Sequence, residues 1–405
     1  MGGRTVMQQS VKLFQVGSTP APRTVDVGEE SMKNIKLPIS TNVRRWLDSR
    51  GGDYTHQVNN PDDFLRFDLT EGICWFQDKV QDWMKEIPIS SVIHYPNSSR
   101  FDQQELLAEW LQIRPEHVAI GNGSDELIDI LAQLFLEPGD EAVTVAPSFF
   151  RFTEASVKAG AVVRQVMLSS DNKFEWTPDA ITNLLKNLHR KSVKVVWLAS
   201  PNNPTGVNIP NKVLKKVISS GKIIILDKVL NGFTKELRES AKLVFNHDNV
   251  IVLSGFSKTY GLPGLRLGFA ISSPEISEVI RTWRLPFSSP AITLFLMERL
   301  MRSLVDQSIR IPDGDGFLQQ RLWLEKEIRK IPDISLASNS KTNLLLLKSK
   351  PKIKLFEELM KRKVLATNMD DVEGISGMGL VRIAVRTQGE NTQLIKVLKD
   401  IGGSV

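Results

Sequence analysis

Four short stretches carry residue types that suit one chemistry. In "SGFSKTYGLPGLRLGF" (Ser254 to Phe269) a single lysine, Lys258, follows an apolar, β-branched run and is surrounded by glycines. An amine delivered at the end of a buried strand is partly desolvated, which lowers its pKa toward the neutral, nucleophilic form that Schiff-base chemistry uses. Ser257 and Arg266 offer a hydroxyl and a fixed cation for a phosphate. "GNGSDELI" sets Gly123, Ser124 and Asp125 at a helix start after a strand, where free N–H groups and the positive helix end meet anions. Taken alone, that stretch is equally an ordinary helix start with Ser124 or Asp125 as cap. "ILDKVL" leaves Asp227 at the tip of an apolar strand, where a carboxylate needs a cation; a protonated pyridine nitrogen is such a partner. "SPNNPTG" is a turn by composition, yet it too follows an apolar strand and presents the Asn203 amide.

The elements that must position these groups are short β-branched runs ending in polar or glycine-rich turns: "HVAIGNGS", "EAVTVAPS", "VKVVWLASPNN", "KIIILDK", "NVIVLSGFSK" and "RLGFAISS". Helical patterns follow several of them. The alternation predicts an α/β fold with a doubly wound, mostly parallel sheet, and such sheets bind ligands at the carboxyl ends of their strands. "PFSSP" (Pro286 to Pro290) breaks the pattern, a long helix follows, and "TNLLLLKS" and "GLVRIAVRT" read as strands of a second unit. The expected organisation is an amino-terminal arm and tail over 1–64, partly disordered, a large domain over 65–289, and a smaller α+β domain over 290–405 that the amino-terminal segment joins. No internal repeat or low-complexity segment is present.

Composition narrows the function classes. Of 405 residues, 41% are apolar and 24% charged, and no apolar run reaches the eighteen or so residues of a membrane helix. A net charge of +6 is too small to argue for nucleic acid, although it suits an anionic cofactor or substrate. The lysine-rich stretch Lys348 to Val364 reads as a solvated helix face. One cysteine, Cys74, excludes an internal disulfide and fits a reducing, cytoplasmic setting. The five histidines show no ligand spacing, so no metal site is expected. Arg4, Lys12 and Arg23 precede the first acid, Asp26; this segment reads as a tail rather than a targeting signal.

Together, "GNGSDELIDIL", "SPNNPTG", the Asp 24 residues beyond Asn203, "FSKTYGLPGLRLG" with its lysine 31 residues further on, and "VRIAVRTQGEN" resemble the fold type I pyridoxal-phosphate enzymes of aminotransferase class I and II. Within that family the likeness is to the branch holding histidinol-phosphate aminotransferase and threonine-phosphate decarboxylase, over roughly residues 65 to 400. The resemblance implies Lys258 as the lysine that bonds the cofactor and shuttles the proton at Cα. It implies Asp227 on the pyridine nitrogen, Asn203 on the ring hydroxyl, and Phe149 stacked on the ring. Ser257, Arg266 and the amides at Gly123, Ser124 and Asp125 would hold the phosphate. Arg382 matches the arginine for the substrate carboxylate, and Arg386, expected on the same strand face, would assist with a second anion or serve the surface. Tyr95 matches the tyrosine lent to a partner subunit's site, which implies a homodimer with shared active sites.

Two departures from the family bear on chemistry. "DKVL" stands where Asp-Glu-Ala-Tyr or Asp-Glu-Ala-Phe is usual, so Leu230 lacks a phenol and Lys228 replaces an acid. "DLTEGICW" replaces the usual Asn-Glu-Asn-Pro loop near residue 70. Three functions are therefore carried forward: a transaminase between an amino acid or amino phosphate and a 2-oxo acid; a decarboxylase of a phosphorylated amino acid; and a cofactor-binding protein with little catalysis.

Overall fold

The computed structural model describes residues 40–49, 61–309 and 315–403. Expectations for the tail before residue 40 and for 50–60 lie outside the described residues. The main body is a seven-stranded sheet built from β2 (Val118–Asn122), β3 (Glu141–Ala146), β4 (Val162–Met167), β5 (Val193–Ala199), β6 (Ile223–Asp227), β7 (Val250–Gly255) and β8 (Leu267–Ile271), in the order β2-β8-β7-β6-β5-β3-β4. All neighbours are parallel except β8, which runs antiparallel to both β2 and β7.

Strict alternation along the strands explains why both faces are covered. In β6 and β7, Ile224, Leu226, Val250 and Val252 enter one core, while Ile225, Ile251 and Leu253 enter the other. Successive side chains of a strand point to opposite faces, so an uninterrupted apolar run demands a layer on each side. The helices Gly123–Phe135 and Phe150–Lys158 cover one face; Phe101–Leu111, Pro178–Leu188 and Thr234–Asn246 lie in the core of the other.

The smaller body has its own core and a four-stranded antiparallel sheet in the order β12-β13-β10-β9, formed by β9 (Ile334–Leu336), β10 (Leu344–Ser349), β12 (Thr367–Asn368) and β13 (Val381–Ala384). Two details differ from the expected boundaries. The first strand, β1 (Leu65–Arg66), pairs in parallel with β11 (Val364–Leu365), and Phe67 lies in the small core. The helix Ala291–Val305 places Leu296, Met297, Leu300 and Met301 in the core of the large sheet. The helix Thr41–Ser49 packs on the larger body, with Arg45 donating to the Gly160 carbonyl, residues 65–67 then join the smaller body, and the chain leaves the larger one later than residue 290. "PFSSP" marks a turn between helices, and a proline pair alone cannot tell such a turn from a boundary.

No helix among the described residues is long and apolar enough to cross a membrane.

Candidate active site

The carboxyl ends of β2, β5, β6 and β7 converge on a cavity of about 340 Å³. Each strand ends in a turn that its sequence enforces, so each delivers one polar residue. Lys258, three residues past β7, lines the cavity and donates from Nζ to the Leu69 carbonyl at 2.7 Å. Burial, reinforced by the nearby Arg382 guanidinium, pushes its amine down to about 8. Asp227, the last residue of β6, is 8% exposed and accepts the Val229 N–H at 2.8 Å. Burial drives its carboxyl up to about 6. A carboxylate this costly to ionise is poised for a cationic partner, which would reverse the shift.

Asn203 accepts from Arg382 Nη1 at 2.7 Å through its Oδ1, which leaves the amide N–H₂ as the edge available to a ligand. Arg382 is 2% exposed, and its Nη2 also donates to the Asp68 carbonyl at 2.8 Å and to Thr367 Oγ1 at 3.1 Å. It is therefore a fork clamped by the small body and aimed at the cavity of the large one. Phe149 lines the cavity at the start of its helix, with Phe150 and Phe152 edge-on against its ring.

At the opposite end Ser124, Asp125, Ser257 and Arg266 line the wall. Gly123 has φ +78°, and a Cβ there would lie 2.7 Å from Arg266 Nη2. The left-handed conformation favours glycine, and a methyl group there would push the end of the arginine aside. Asp125 sits between two guanidiniums, with Oδ2 3.3 Å from Arg266 Nη2 and Oδ1 3.5 Å from Arg151 Nε.

Arg151 escaped the sequence reading. It lines the same cavity and is anchored by Asp129 at 2.7 Å and Glu154 at 2.6 Å, so it offsets the Asp125 charge where an anion must come. Its only signal was a cation in the first turn of the helix after Phe149, and its partners come from two different helices. The Leu69 carbonyl was also unreadable, because a backbone acceptor carries no residue signature. Gly72 explains the neighbouring loop: a Cβ there would fall 1.7 Å from the Lys258 carbonyl oxygen, so "EGICW" packs directly against the lysine segment.

Two expected residues stand elsewhere. Arg386 lies beyond the end of β13 rather than on its face; it pairs with Glu390 at 3.0 Å and points Nη1 toward the Glu71 and Gly72 carbonyls at 3.4 Å. It braces the loop and does not line the cavity. Tyr95 is 84% exposed and packs at a tilt against Phe287, ring centroids 5.0 Å apart, outside the cavity of its own chain.

These residues fit pyridoxal phosphate. A helix start and an arginine around a glycine cradle suit its phosphate, a buried carboxylate suits its ring nitrogen, and a desolvated lysine suits its aldehyde. The chain belongs to the aminotransferase class I and II family, whose pattern it matches over residues 67–398. More narrowly, it is 31% identical over 338 residues to the histidinol-phosphate aminotransferase of Thermoanaerobacter sp. (strain X514), covering 83% of this chain and 92% of that one. Among solved structures it resembles histidinol-phosphate aminotransferase from Sinorhizobium meliloti in complex with pyridoxal-5'-phosphate (TM-score 0.70, 18% identity, 91% of this chain and 99% of that one). It also resembles L-threonine-O-3-phosphate decarboxylase from Porphyromonas gingivalis (TM-score 0.67, 18% identity, 81% and 99%). The protein is a pyridoxal-phosphate-dependent transaminase.

Proposed function

We propose that this transaminase moves an amino group between an amino phosphate resembling histidinol phosphate and a 2-oxo acid. The observation that carries this is the clamped Arg382 guanidinium in the same cavity as Lys258, because its fixed cation suits a carboxylate and a phosphate alike. One arginine then serves both half-reactions. The likeness to histidinol-phosphate aminotransferase supports this choice of substrate.

Bound in the cavity, pyridoxal phosphate supplies an electron sink for the charge that develops at Cα when a proton leaves. The chain's own groups do the rest. Asp227 would hold positive charge on the ring nitrogen, the amides at Ser124 and Asp125 with Ser257 and Arg266 would hold the phosphate, and Phe149 would pack on the ring. Lys258, whose amine is brought to about 8 by burial and by Arg382, takes the Cα proton and returns it near neutral pH. Asn203 supports the ring oxygen in the absence of a phenol at position 230.

We further place the protein in the cytoplasm as a homodimer. Ile89, Val92, Ile93, Tyr95 and Leu285 are 64–84% exposed along two adjoining segments, a concentration of apolar surface that a second copy would cover while bringing Tyr95 to the partner's phosphate.

The test adds L-histidinol phosphate and O-phospho-L-threonine separately to the holoenzyme while the bound cofactor's absorbance and carbon dioxide release are followed. The expected result is conversion by histidinol phosphate, reversal by 2-oxoglutarate, and no carbon dioxide. Release of carbon dioxide from phosphothreonine would instead establish the decarboxylase reading. A cofactor-binding role with little catalysis is set aside, because every group the reaction needs converges on one cavity.

A further inference from the structure

A second cavity, of about 310 Å³, shares only Leu230 and Lys258 with the first. Its walls come from both bodies: the turn and helix start after β6 on one side, and the helix Asp315–Ile328 with the segment leading into β10 on the other. Its size lies near the lower end of the range of about 300–1,000 Å³ for small-molecule sites.

The chemistry of the walls is divided. Phe233, Phe317 and Leu318 give an apolar side, with the rings of Phe233 and Phe317 edge-on at 6.2 Å. Besides Lys258, which is committed to the Leu69 carbonyl, the large body contributes a carboxylate, Glu236, whose charge reaches the half-buried Lys228 of the preceding turn. The small body contributes two cations. Arg321 is fixed through Nη1 to Glu325 at 2.7 Å and to the Ser340 carbonyl at 2.6 Å, and exposed Lys341 makes no ion pair among the described residues. Opposite charges on facing bodies with an apolar wall between them match a small zwitterion. A zwitterion meets Glu236 on one body and Lys341, unpaired among the described residues, on the other, while Arg321, already paired with Glu325, adds its remaining N–H groups.

We propose that this cavity is a second binding site for an α-amino acid with an apolar side chain. Its ammonium meets Glu236, its carboxylate meets Lys341 and Arg321, and its side chain lies among Phe233, Phe317 and Leu318. The site is wired to the catalytic lysine: Thr342 donates to the Leu230 carbonyl, and Asn343 donates at 3.1 Å to the carbonyl of Thr70, next to the Leu69 carbonyl that holds Lys258. An occupant that draws the two bodies together therefore acts on the segment that sets the lysine's environment. The inference goes beyond the transaminase reading and does not rest on it.

The experiment uses holoenzyme reduced with borohydride, which fixes the cofactor to Lys258 and blocks amino-group exchange. L-Leucine and L-phenylalanine are titrated by calorimetry, with isovalerate and isoamylamine as singly charged controls. One site is expected, retained in Arg382→Met and weakened about tenfold or more in both Lys341→Met and Glu236→Gln, the loss typical of one charge-assisted contact. Three results would overturn the proposal: no binding heat, equal binding of a singly charged control, or loss in Arg382→Met with no effect of Lys341→Met. Repeating the titration on cofactor-free protein separates this site from the cofactor reading, since a chain that never takes up pyridoxal phosphate can still bind the amino acid here.

Discussion

The two ends of the cofactor cavity are built differently. At the phosphate end two decisive parts are backbone, a helix start and a glycine at φ +78°, and the Arg266 side chain closes over them. At the ring-oxygen end the parts are side chains, and they are few: Asn203 already accepts from Arg382, and Leu230 offers only aliphatic surface. A site made by the backbone fixes its ligand's position and changes only with substitutions that move the chain itself. A site made by side chains can be altered one residue at a time, and the ring-oxygen end is where the chain departs from its family.

Substitutions can sharpen or break this contrast. The upper limit is set between the two ends: Lys258→Ala should abolish covalent cofactor absorbance and lower turnover by about 10⁴-fold, measured as amino-group transfer. Next comes the phosphate end. Gly123→Ala should weaken cofactor binding about a hundredfold in a fluorescence titration, and cost about 1–2 kcal/mol of stability because alanine must adopt a left-handed backbone. Binding within about threefold of the parent would erase the contrast.

Asp227→Asn should show opposite signs in two measurements. The native chain holds a proton on Asp227 up to about 6, against 3.8 for an unperturbed aspartate, so the native state binds more protons than the unfolded one between those values and stability falls as pH rises through them. Removing the carboxylate should therefore stabilise the cofactor-free protein by about 2–3 kcal/mol at pH 8 and by nothing at pH 3, read by chemical denaturation, while turnover drops. The smallest effect belongs to the ring-oxygen end. Leu230→Tyr adds a hydrogen-bond donor and should lower the midpoint of the bound cofactor's spectral titration by about half a pH unit, with turnover changed less than about threefold. An unmoved midpoint would show that position 230 does not face the ring oxygen.

Much of this was readable in the amino-acid order because buried parallel strands are written as β-branched runs, and a polar residue stranded at their ends needs a reason to be there. Lys258, Asp227 and Asn203 stand out in that way and Arg266 as a cation eight residues after the lysine, and the structure gathers all four around one cavity. What stayed hidden depends on partners far away in the chain. Arg151 is meaningful only beside Asp125 and Asp129, the Leu69 acceptor is a carbonyl, and Arg386 left the strand face because β13 ends at Ala384. The pairing of Leu65–Arg66 with Val364–Leu365 is likewise invisible locally, since two-residue strands leave no periodicity to detect.

That pairing gives the lysine a mechanical tether. Leu69, whose carbonyl holds the Nζ of Lys258, hangs three residues from a strand that is sewn into the smaller body, and the intervening Asp68 carbonyl is gripped by Arg382 of the same body. A rotation of the smaller body would therefore move the carbonyl that holds Lys258 and the Arg382 guanidinium with a single lever. In this chain the hinge between the bodies and the hold on Lys258 share one strand.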